Sequence, residues 1–203
     1  EPDVVDTVLK LLWQAYRLVR LARERRQPLD LDLPERRLKL DAAGRVEKVV
    51  VPMRLDAHKL IEEFMILANV AAAEALEAKR QQLIYRAHDA PSLSKLEGLR
   101  EFLNTLEIPL AKAGSLRHSV YTPDNLGHFG LNLARYAHFT SPIRRYADLI
   151  VHRALVTALG LGEGGLSKED EELLAETAEE ISRAERRAMA AERDTVDRLI
   201  AHH

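Results

Sequence analysis

The chain contains no cysteine among its 203 residues. Disulfide bonds, thiolate zinc sites and cysteine nucleophiles are therefore excluded, and a cytoplasmic location is favoured. The chain also lacks an apolar run near the roughly 18 residues of a spanning helix, and no signal peptide opens it, so we expect no membrane partner. Finally it lacks a strong net charge, since the formal total is −2. Any binding of an anion must therefore come from local clusters of basic residues.

The two ends of the chain resemble internal positions of a longer protein. Residue 1 is Glu rather than Met, and the sequence stops at Ala201-His202-His203 inside a helical pattern. We expect the chain to be a piece of a longer protein, and we leave open whether the last two histidines belong to a tag. The apolar content of 46% and charged content of 31% are typical of a globular domain.

Apolar residues at three- and four-residue spacing predict several long helices. These helices cover Asp3–Arg26, Asp56–Lys79 with Asp56 as its cap, Pro91–Leu106, and a last helix that begins at Ser167. At Ser167, the Ser together with Asp170 three residues later matches a capping box. Between Gly160 and Gly165, glycine is frequent enough to predict a linker.

Alternating and β-branched residues predict short strands between these helices. A hairpin is expected from Arg37 to Val51, with its turn at 41–44, and short strands at Leu83–His88 and Ser119–Thr122. The predicted fold class is therefore α+β, with long helices and a small, mainly antiparallel sheet. Asp30 and Asp32 lie two residues apart, which fits half of a metal site but more often marks the wet side of a strand.

The segment from His128 to Arg153 has the most unusual composition. Its sequence, HFGLNLARYAHFTSPIRRYADLIVHR, holds four aromatic rings and four arginines against the single carboxylate of Asp148. Basic groups interleaved with rings that can stack on bases are typical of proteins that bind single-stranded nucleic acid. The histidines of this segment are not at metal-ligand spacing and more often pack or form hydrogen bonds.

Ser141 and Pro142 predict the start of a helix inside this segment, with Ser at the cap and Pro at the first helical position. The free N–H groups of such a terminus bind phosphate readily, and Arg144 in the first turn would reach the same place. Asp148, one turn further on, is expected to hold Arg144. On spacing alone, the pattern also fits a helix that binds nothing. The predicted buried face consists of Ile143, Tyr146, Ala147, Ile150, Val151, Ala154, Leu155 and Ala158.

Polar residues within the other helices leave alternatives open. Glu62 and Glu63 lie in an apolar stretch, where a carboxylate needs an arginine, a metal or water. Exposure on the polar stripe is the other interpretation, and it fits Glu62 at least as well as Glu63. Asn69 is expected to make a satisfied packing contact. The arginines that end the first helix are interpreted as a solvated, dipole-matched terminus rather than an RNA contact.

Three stretches together resemble one family. HFGLNLARYAHFTSPIRRYADLIVHR closely resembles a signature of the RNB family, the catalytic domain of ribonuclease II and ribonuclease R. RLDAHKLIEEFMILANVAAAE, at Arg54–Glu74, is similar to the helix of that family that carries an acidic pair, and AERDTVDRL, at Ala191–Leu199, to its last helix. The chain is thus identified as the C-terminal portion of an RNB catalytic domain over residues 1–203, with details that lean toward bacterial ribonuclease R.

The resemblance implies a processive 3′→5′ exoribonuclease. Such an enzyme uses Mg²⁺ to hydrolyse single-stranded RNA, rather than DNA, to nucleoside 5′-monophosphates. By motif match, Arg144 would hold a phosphate near the 3′ end and stabilise charge in the transition state, while Glu63 and Glu192 would order the terminal nucleotide. These three are the candidate catalytic residues. The candidate RNA-binding residues are Ser141, Arg144, Arg145, His138, Tyr136 and Glu62.

Three parts of the family pattern are missing. The aspartate-rich motif that holds the metal in the family lies upstream, so no metal ligand is assigned here, and we expect the chain alone to be inactive. One stacking aromatic is replaced by Leu31, and the family's cold-shock-like and S1 domains are absent. The surface that the missing half would cover should be apolar, so self-association is expected.

Two other functional hypotheses fit the same residues. A module of RNB ancestry that binds RNA without cutting it is the first alternative. The second is a helical domain whose basic segment serves only packing or the binding of a partner. An aspartate cluster upstream of Glu1 would separate the enzyme from the first alternative.

Overall fold

A computed structural model describes residues 2–29, 36–90, 97 and 119–201. Asp30, Leu31, Asp32 and nearly all of the helix predicted at Pro91–Leu106 lie outside the described residues. Within the described part of the chain, none of the helices is both long and apolar enough to cross a membrane.

The first predicted helix is present and is not uniform. Its main body, α1, spans Lys10–Arg26 and is preceded by a π-helical segment, Val5–Leu9, and a short helical start, Pro2–Val4. Gln27 ends α1 by entering the left-handed region at φ 52°, and its N–H donates to the carbonyls of Arg23 and Glu24. Tyr16 is the buried residue of α1, so the helix lies on the surface of the fold.

The predicted hairpin is confirmed. Strands β1, Arg37–Leu40, and β2, Val46–Val50, pair antiparallel with Arg37 opposite Val50. The carboxylate of Asp41 accepts the N–H groups of Ala43 and Arg45, both at 2.9 Å, which fixes the turn.

The second long helix, α2, spans Asp56–Ala78. The prediction that Asp56 caps it is wrong, because Leu55 holds the extended cap position and Asp56 lies in the first turn. The N–H of Leu55 donates to the ring nitrogen Nδ1 of His58 at 3.1 Å. In a capping box, the N–H of the cap residue usually donates to an acidic side chain at the third helical position. Here His58 occupies that position and accepts this hydrogen bond.

Two further strands confirm the rest of the strand prediction. Strand β3, Tyr85–Ala87, pairs antiparallel with β4, Val120–Thr122, and Arg86 lies opposite Tyr121. The strands of the described chain thus form two separate two-stranded sheets.

From Tyr146 onward the described chain is mainly helical. Helix α3 spans Tyr146–Leu159, the short α4 spans Lys168–Glu172, and α5 spans Leu174–Ala201. The glycine-rich linker between α3 and α4 is present. The Ser167 hydroxyl accepts the Asp170 N–H, and the Asp170 carboxylate accepts the Ser167 N–H, so the predicted capping box is confirmed.

The core is built largely from small side chains. Alanines of α2 and α3 are fully or almost fully buried, which lets the two helix backbones approach closely. Leu83, Ile84, Tyr121 and Leu174 close the core from the side of the β3–β4 sheet and α5. The α+β fold class is confirmed, and the segment 128–145 runs across this core toward α3.

Candidate functional site

The Ser141–Arg145 turn does not begin a helix as the sequence predicts. Residues 142–144 form a turn, Arg145 is extended at φ −128° and ψ 117°, and α3 begins at Tyr146. The N–H groups of Arg144 and Arg145 both donate to the Ser141 carbonyl, at 3.3 and 3.2 Å. The turn therefore closes on Ser141 before the helix starts, and the Ser141–Pro142 start and the place of Arg144 in the first helical turn are both wrong.

Asp148 explains this geometry. Its side chain is completely buried, and its oxygen Oδ1 accepts the Ser141 N–H at 2.7 Å. The Arg145 guanidinium donates to both carboxylate oxygens, each at 2.8 Å. The predicted pairing of Asp148 with Arg144 is thus wrong, and its partner is Arg145. Burial works to lower the pKa of Arg145, but the hydrogen bonds and charge of Asp148 outweigh it and raise that pKa above its ordinary value.

Asn69 of α2 holds the stretch just before the turn. Its side-chain oxygen accepts the N–H groups of Phe139 and Thr140, at 2.9 and 3.2 Å. Its amide nitrogen donates to the Tyr136 hydroxyl at 2.8 Å. The predicted satisfied packing role of Asn69 is confirmed, and it connects α2 to the segment that carries the turn.

His152 of α3 supports the same stretch from below. Its ring stacks on Phe139 with centroids 4.3 Å apart, and its nitrogen Nε2 lies 2.9 Å from the Phe139 carbonyl oxygen. Asn69, Asp148 and His152 together hold the backbone from Phe139 to Arg145 on its inner side. The outer side of the turn therefore faces solvent, while these three side chains hold its backbone in place.

The outer side of the turn carries Ile143, Arg144 and Tyr146. The Arg144 side chain is exposed, and no described residue bonds to its guanidinium. Ile143 is fully exposed and Tyr146 is 53% exposed. The predicted burial of these two residues is wrong, because the helix begins after Ile143 and its first residue, Tyr146, lies at the edge of the core.

Tyr136 and His138 point inward instead of presenting open rings. Tyr136 is 8% exposed, and its ring meets that of His138 edge to face at 5.6 Å. The Tyr121 hydroxyl lies 2.8 Å from the His138 nitrogen Nδ1. Tyr136 is thus buried and His138 partly buried, in a cluster of rings that supports the segment.

Two histidines stay neutral: His138, and His128, whose ring meets that of Tyr136 edge to face at 5.2 Å. Burial, followed by the charges of Arg145 and Arg86, lowers the pKa of His138 to about 3. Burial, followed by His88 and Arg86, lowers the pKa of His128 to about 4. In the unfolded chain both rings return to an ordinary pKa near 6.5. Protonation therefore favours the unfolded chain.

This difference predicts a pH-dependent stability. The stabilisation from the neutral rings is complete above about pH 6.5 and is lost as the pH falls toward the folded pKa values. Because both rings are partly exposed, we expect a loss of about 1 kcal/mol per histidine between pH 7.5 and 5.5. Urea unfolding at the two pH values measures it. A His138→Asn variant, which does not titrate, should lose about half of this pH dependence, and an unchanged dependence would contradict the prediction.

Glu63 is buried beneath α1. Its carboxylate pairs with Arg23 at 2.5 Å, and the two side chains are 7% and 18% exposed. The solvated interpretation of the arginines at the end of α1 is therefore wrong for Arg23 and for Arg26, which is half-buried. The Arg26 nitrogens Nε and Nη2 are buried and bond to no described residue, and burial lowers the pKa of Arg26. Glu62, by contrast, is partly exposed and pairs with Arg54.

The three candidate catalytic residues occupy separate places in the described structure. Glu63 lies between α1 and α2, Arg144 on the turn before α3, and Glu192 on the exposed half of α5. Glu192 lines a concavity of about 260 Å³ whose other lining residues all belong to α5.

A groove of about 400 Å³ does bring together three of the candidate RNA-binding residues. Glu62, Tyr136 and Arg145 line it, with Ile61, Met65 and Leu131 as its apolar walls. Its far wall is the N-terminal half of α2. The groove thus lies beside the Ser141–Arg145 turn, through Arg145.

The residues fit no metal within the described ranges. Among these residues, no three histidine, aspartate or glutamate side chains converge to hold an ion. Asp30 and Asp32 lie outside them.

A polar cluster that the sequence does not predict ties α5 to the β3–β4 sheet. Arg86 lies 4.5 Å above the ring of Tyr121, its partner across the sheet, and donates to Glu185 of α5 at 2.6 Å. The Tyr121 N–H donates to the buried Ser182 hydroxyl at 2.9 Å. The alternating pattern of β3 indicates on which face of the strand the Arg86 side chain lies. It does not indicate the partners of Arg86, because Tyr121 and Glu185 lie far along the chain.

Comparison with known proteins gives one consistent result. The family model described as the RNB domain matches residues 1–160. Ribonuclease R of Vibrio parahaemolyticus is 37% identical over 77% of this chain and 22% of its own length. Ribonuclease R of Aquifex aeolicus is 35% identical over 100% of this chain and 32% of its own length.

A solved structure agrees with these relatives. Mycoplasma genitalium RNase R, solved in complex with ribose methylated single-stranded RNA, matches at a TM-score of 0.90 and 26% identity. The match covers 98% of this chain and 36% of that chain. The chain thus spans about a fifth to about a third of its relatives.

Proposed function

The chain belongs to the RNB domain family, and on that premise we propose that it forms part of a 3′→5′ exoribonuclease. This enzyme hydrolyses single-stranded RNA to nucleoside 5′-monophosphates. The Mg²⁺ that it uses is bound by residues other than the described ones. The role of this chain is to hold a phosphate near the 3′ end.

The observation that carries the proposal is the presentation of Arg144. Two adjacent arginines follow Ile143, and the buried carboxylate of Asp148 takes up Arg145 alone. Arg144 remains exposed on a turn whose inner side is bonded to the rest of the fold. The motif implies that this arginine binds the phosphate. A guanidinium offers phosphate a bidentate pair of charged hydrogen bonds. The backbone around it is already held in place, so little backbone freedom remains to be lost on binding.

Binding to labelled oligonucleotides tests the proposal. We expect the 203-residue chain to bind a single-stranded RNA in fluorescence anisotropy, with an affinity that falls as salt rises. A DNA of the same sequence and an RNA duplex serve as comparison ligands and should bind more weakly. Equal affinity for all three ligands, or no binding to any, would count against the proposal.

The chain alone is expected to bind RNA without shortening it. Hydrolysis of this type requires carboxylates that hold the metal and activate water, and the sequence contains no aspartate cluster. The measurement is incubation of the pure chain with Mg²⁺ and 5′-labelled single-stranded RNA, with EDTA in a parallel sample. Stepwise loss of nucleotides from the 3′ end, seen with Mg²⁺ and absent with EDTA, would overturn this prediction.

A module that binds RNA without cutting it is the second candidate. One observation favours it: Glu63, a candidate catalytic residue, is buried and paired with Arg23 rather than open to a substrate. In an active protein that contains the chain, Glu63→Gln should then change stability more than turnover. A loss of turnover at unchanged stability would favour the enzyme.

A further inference from the structure

Three apolar side chains are exposed next to Arg144. Ile143 precedes it at 103% relative exposure, and Tyr146 and Leu149 follow at 53% and 40%. Tyr146 and Leu149 are three residues apart on α3 and therefore lie side by side on one face of the helix. The neighbouring face carries Ala147, Ile150 and Val151, which are buried in the core. The exposed residues are thus an apolar surface that takes no part in the core of the described chain.

This surface has a rigid base. The backbone leading into the turn is bonded to Asn69, and the turn itself to the buried Asp148. The stacked ring of His152 supports Phe139. Ile143 therefore has no way to reach the core through a small rearrangement of the turn. A side chain held out on a fixed turn is preorganised for contact with something outside the chain.

The positive charge of Arg144 next to this surface indicates which kind of ligand the surface would bind. Arg145 is neutralised by Asp148, whereas the Arg144 guanidinium is not bonded to any described residue. One available cation between an exposed aliphatic side chain and an exposed aromatic ring matches a nucleotide, which offers a phosphate and a flat apolar base. Stacking of a base on an aromatic side chain accepts every base, because each has a π-face.

We propose that Tyr146 stacks on a base of single-stranded RNA and that Ile143 packs beside it, while Arg144 holds the adjoining phosphate. This inference rests on the proposed function and adds a base-contacting surface to it. Tyr146 then contributes an affinity that depends on bases and not on salt. Arg144 contributes one that depends on salt and not on bases.

Anisotropy titration of the chain with a single-stranded RNA tests the proposal. We expect Tyr146→Ala to weaken binding by about 5- to 20-fold, with an unchanged slope of affinity against salt. Tyr146→Phe keeps the ring and should stay within about 2-fold of the original chain. Leu159→Ala, an exposed change at the far end of the same helix, serves as the matched control and should have no effect.

An abasic RNA of the same length gives the decisive comparison. If the inference holds, the original chain and Tyr146→Ala bind the abasic ligand equally, because no base is left to stack. If Tyr146→Ala weakens both ligands equally, or neither, the inference is wrong. A change in sedimentation of Tyr146→Ala with unchanged RNA binding would also overturn it, since the surface would then serve self-association. If Arg144→Ala also leaves RNA binding unchanged, the proposed function itself fails.

Discussion

Replacement of Asp148 by alanine is expected to lower the free energy of unfolding by about 4 kcal/mol. The side chain is completely buried, and it accepts three hydrogen bonds from two partners. Its removal leaves the Arg145 guanidinium, itself largely buried, without a counter-charge, and leaves the Ser141 N–H without an acceptor. Urea unfolding followed by circular dichroism measures the change. Asp56→Ala, which removes an exposed carboxylate in the first turn of α2, is the control and should change stability little.

A double-mutant cycle shows whether the pair itself is responsible. We expect Arg145→Ala to cost nearly as much as Asp148→Ala, since each change strands the other buried charge. The double variant should then lose much less stability than the two single losses together. Asp148→Asn should fall between the original chain and Asp148→Ala, because it keeps an acceptor for Ser141. Additive losses in the cycle would contradict the assignment of Arg145 as the partner of Asp148.

The secondary structure was predictable from local patterns. Apolar periodicity located α1 and α2, alternation located the β1–β2 hairpin, and the Ser167–Asp170 capping box located the start of α4. Each of these signals depends on residues within a few positions of one another. The start of α3, which was predicted wrongly, depends on tertiary structure. A Ser-Pro cap is a weak local preference, and the hydrogen bonds of a buried carboxylate outweigh it.

Adjacent residues of the same type were the part of the site that was harder to predict from the sequence. Glu62 and Glu63 are equivalent in the sequence, and only Arg23, 40 positions away, shows which of them is buried. Arg144 and Arg145 are equivalent in the same way until Asp148 takes one of them. Periodicity gives the face of a helix but not what covers that face, so these assignments required the packed chain.

The aromatic composition of the segment was informative about chemistry and misleading about exposure. Four rings beside arginines indicated a surface for stacking on bases. The structure turns Tyr136 inward and leaves Tyr146, which was predicted to be buried, facing solvent. The side chains that support the turn and the side chains that it presents thus come from the same short stretch. Composition cannot separate these two roles.

Loss of the Arg144 side chain is expected to weaken binding of single-stranded RNA by about 10-fold, because one bidentate, charge-assisted contact to phosphate is removed. The slope of log affinity against log salt should become shallower by about 0.7, the change expected for one phosphate of a single strand. Stability should not change, since the guanidinium is bonded to no described residue. Anisotropy titrations of Arg144→Ala at several salt concentrations give both values. Arg25→Ala, which removes an exposed arginine from the last turn of α1, is the control for the loss of one positive charge.

Arg145→Ala gives the contrast that makes this prediction specific to one of two adjacent arginines. This variant should have a lower free energy of unfolding, because the Arg145 guanidinium donates its hydrogen bonds to the buried Asp148. At a temperature where the variant is folded, its salt slope should match that of the original chain. In an active protein that contains this chain, Arg144→Ala should accordingly slow turnover far more than Arg145→Ala. Equal losses of binding and equal changes of slope in the two variants would place the phosphate elsewhere and remove the role proposed for the turn.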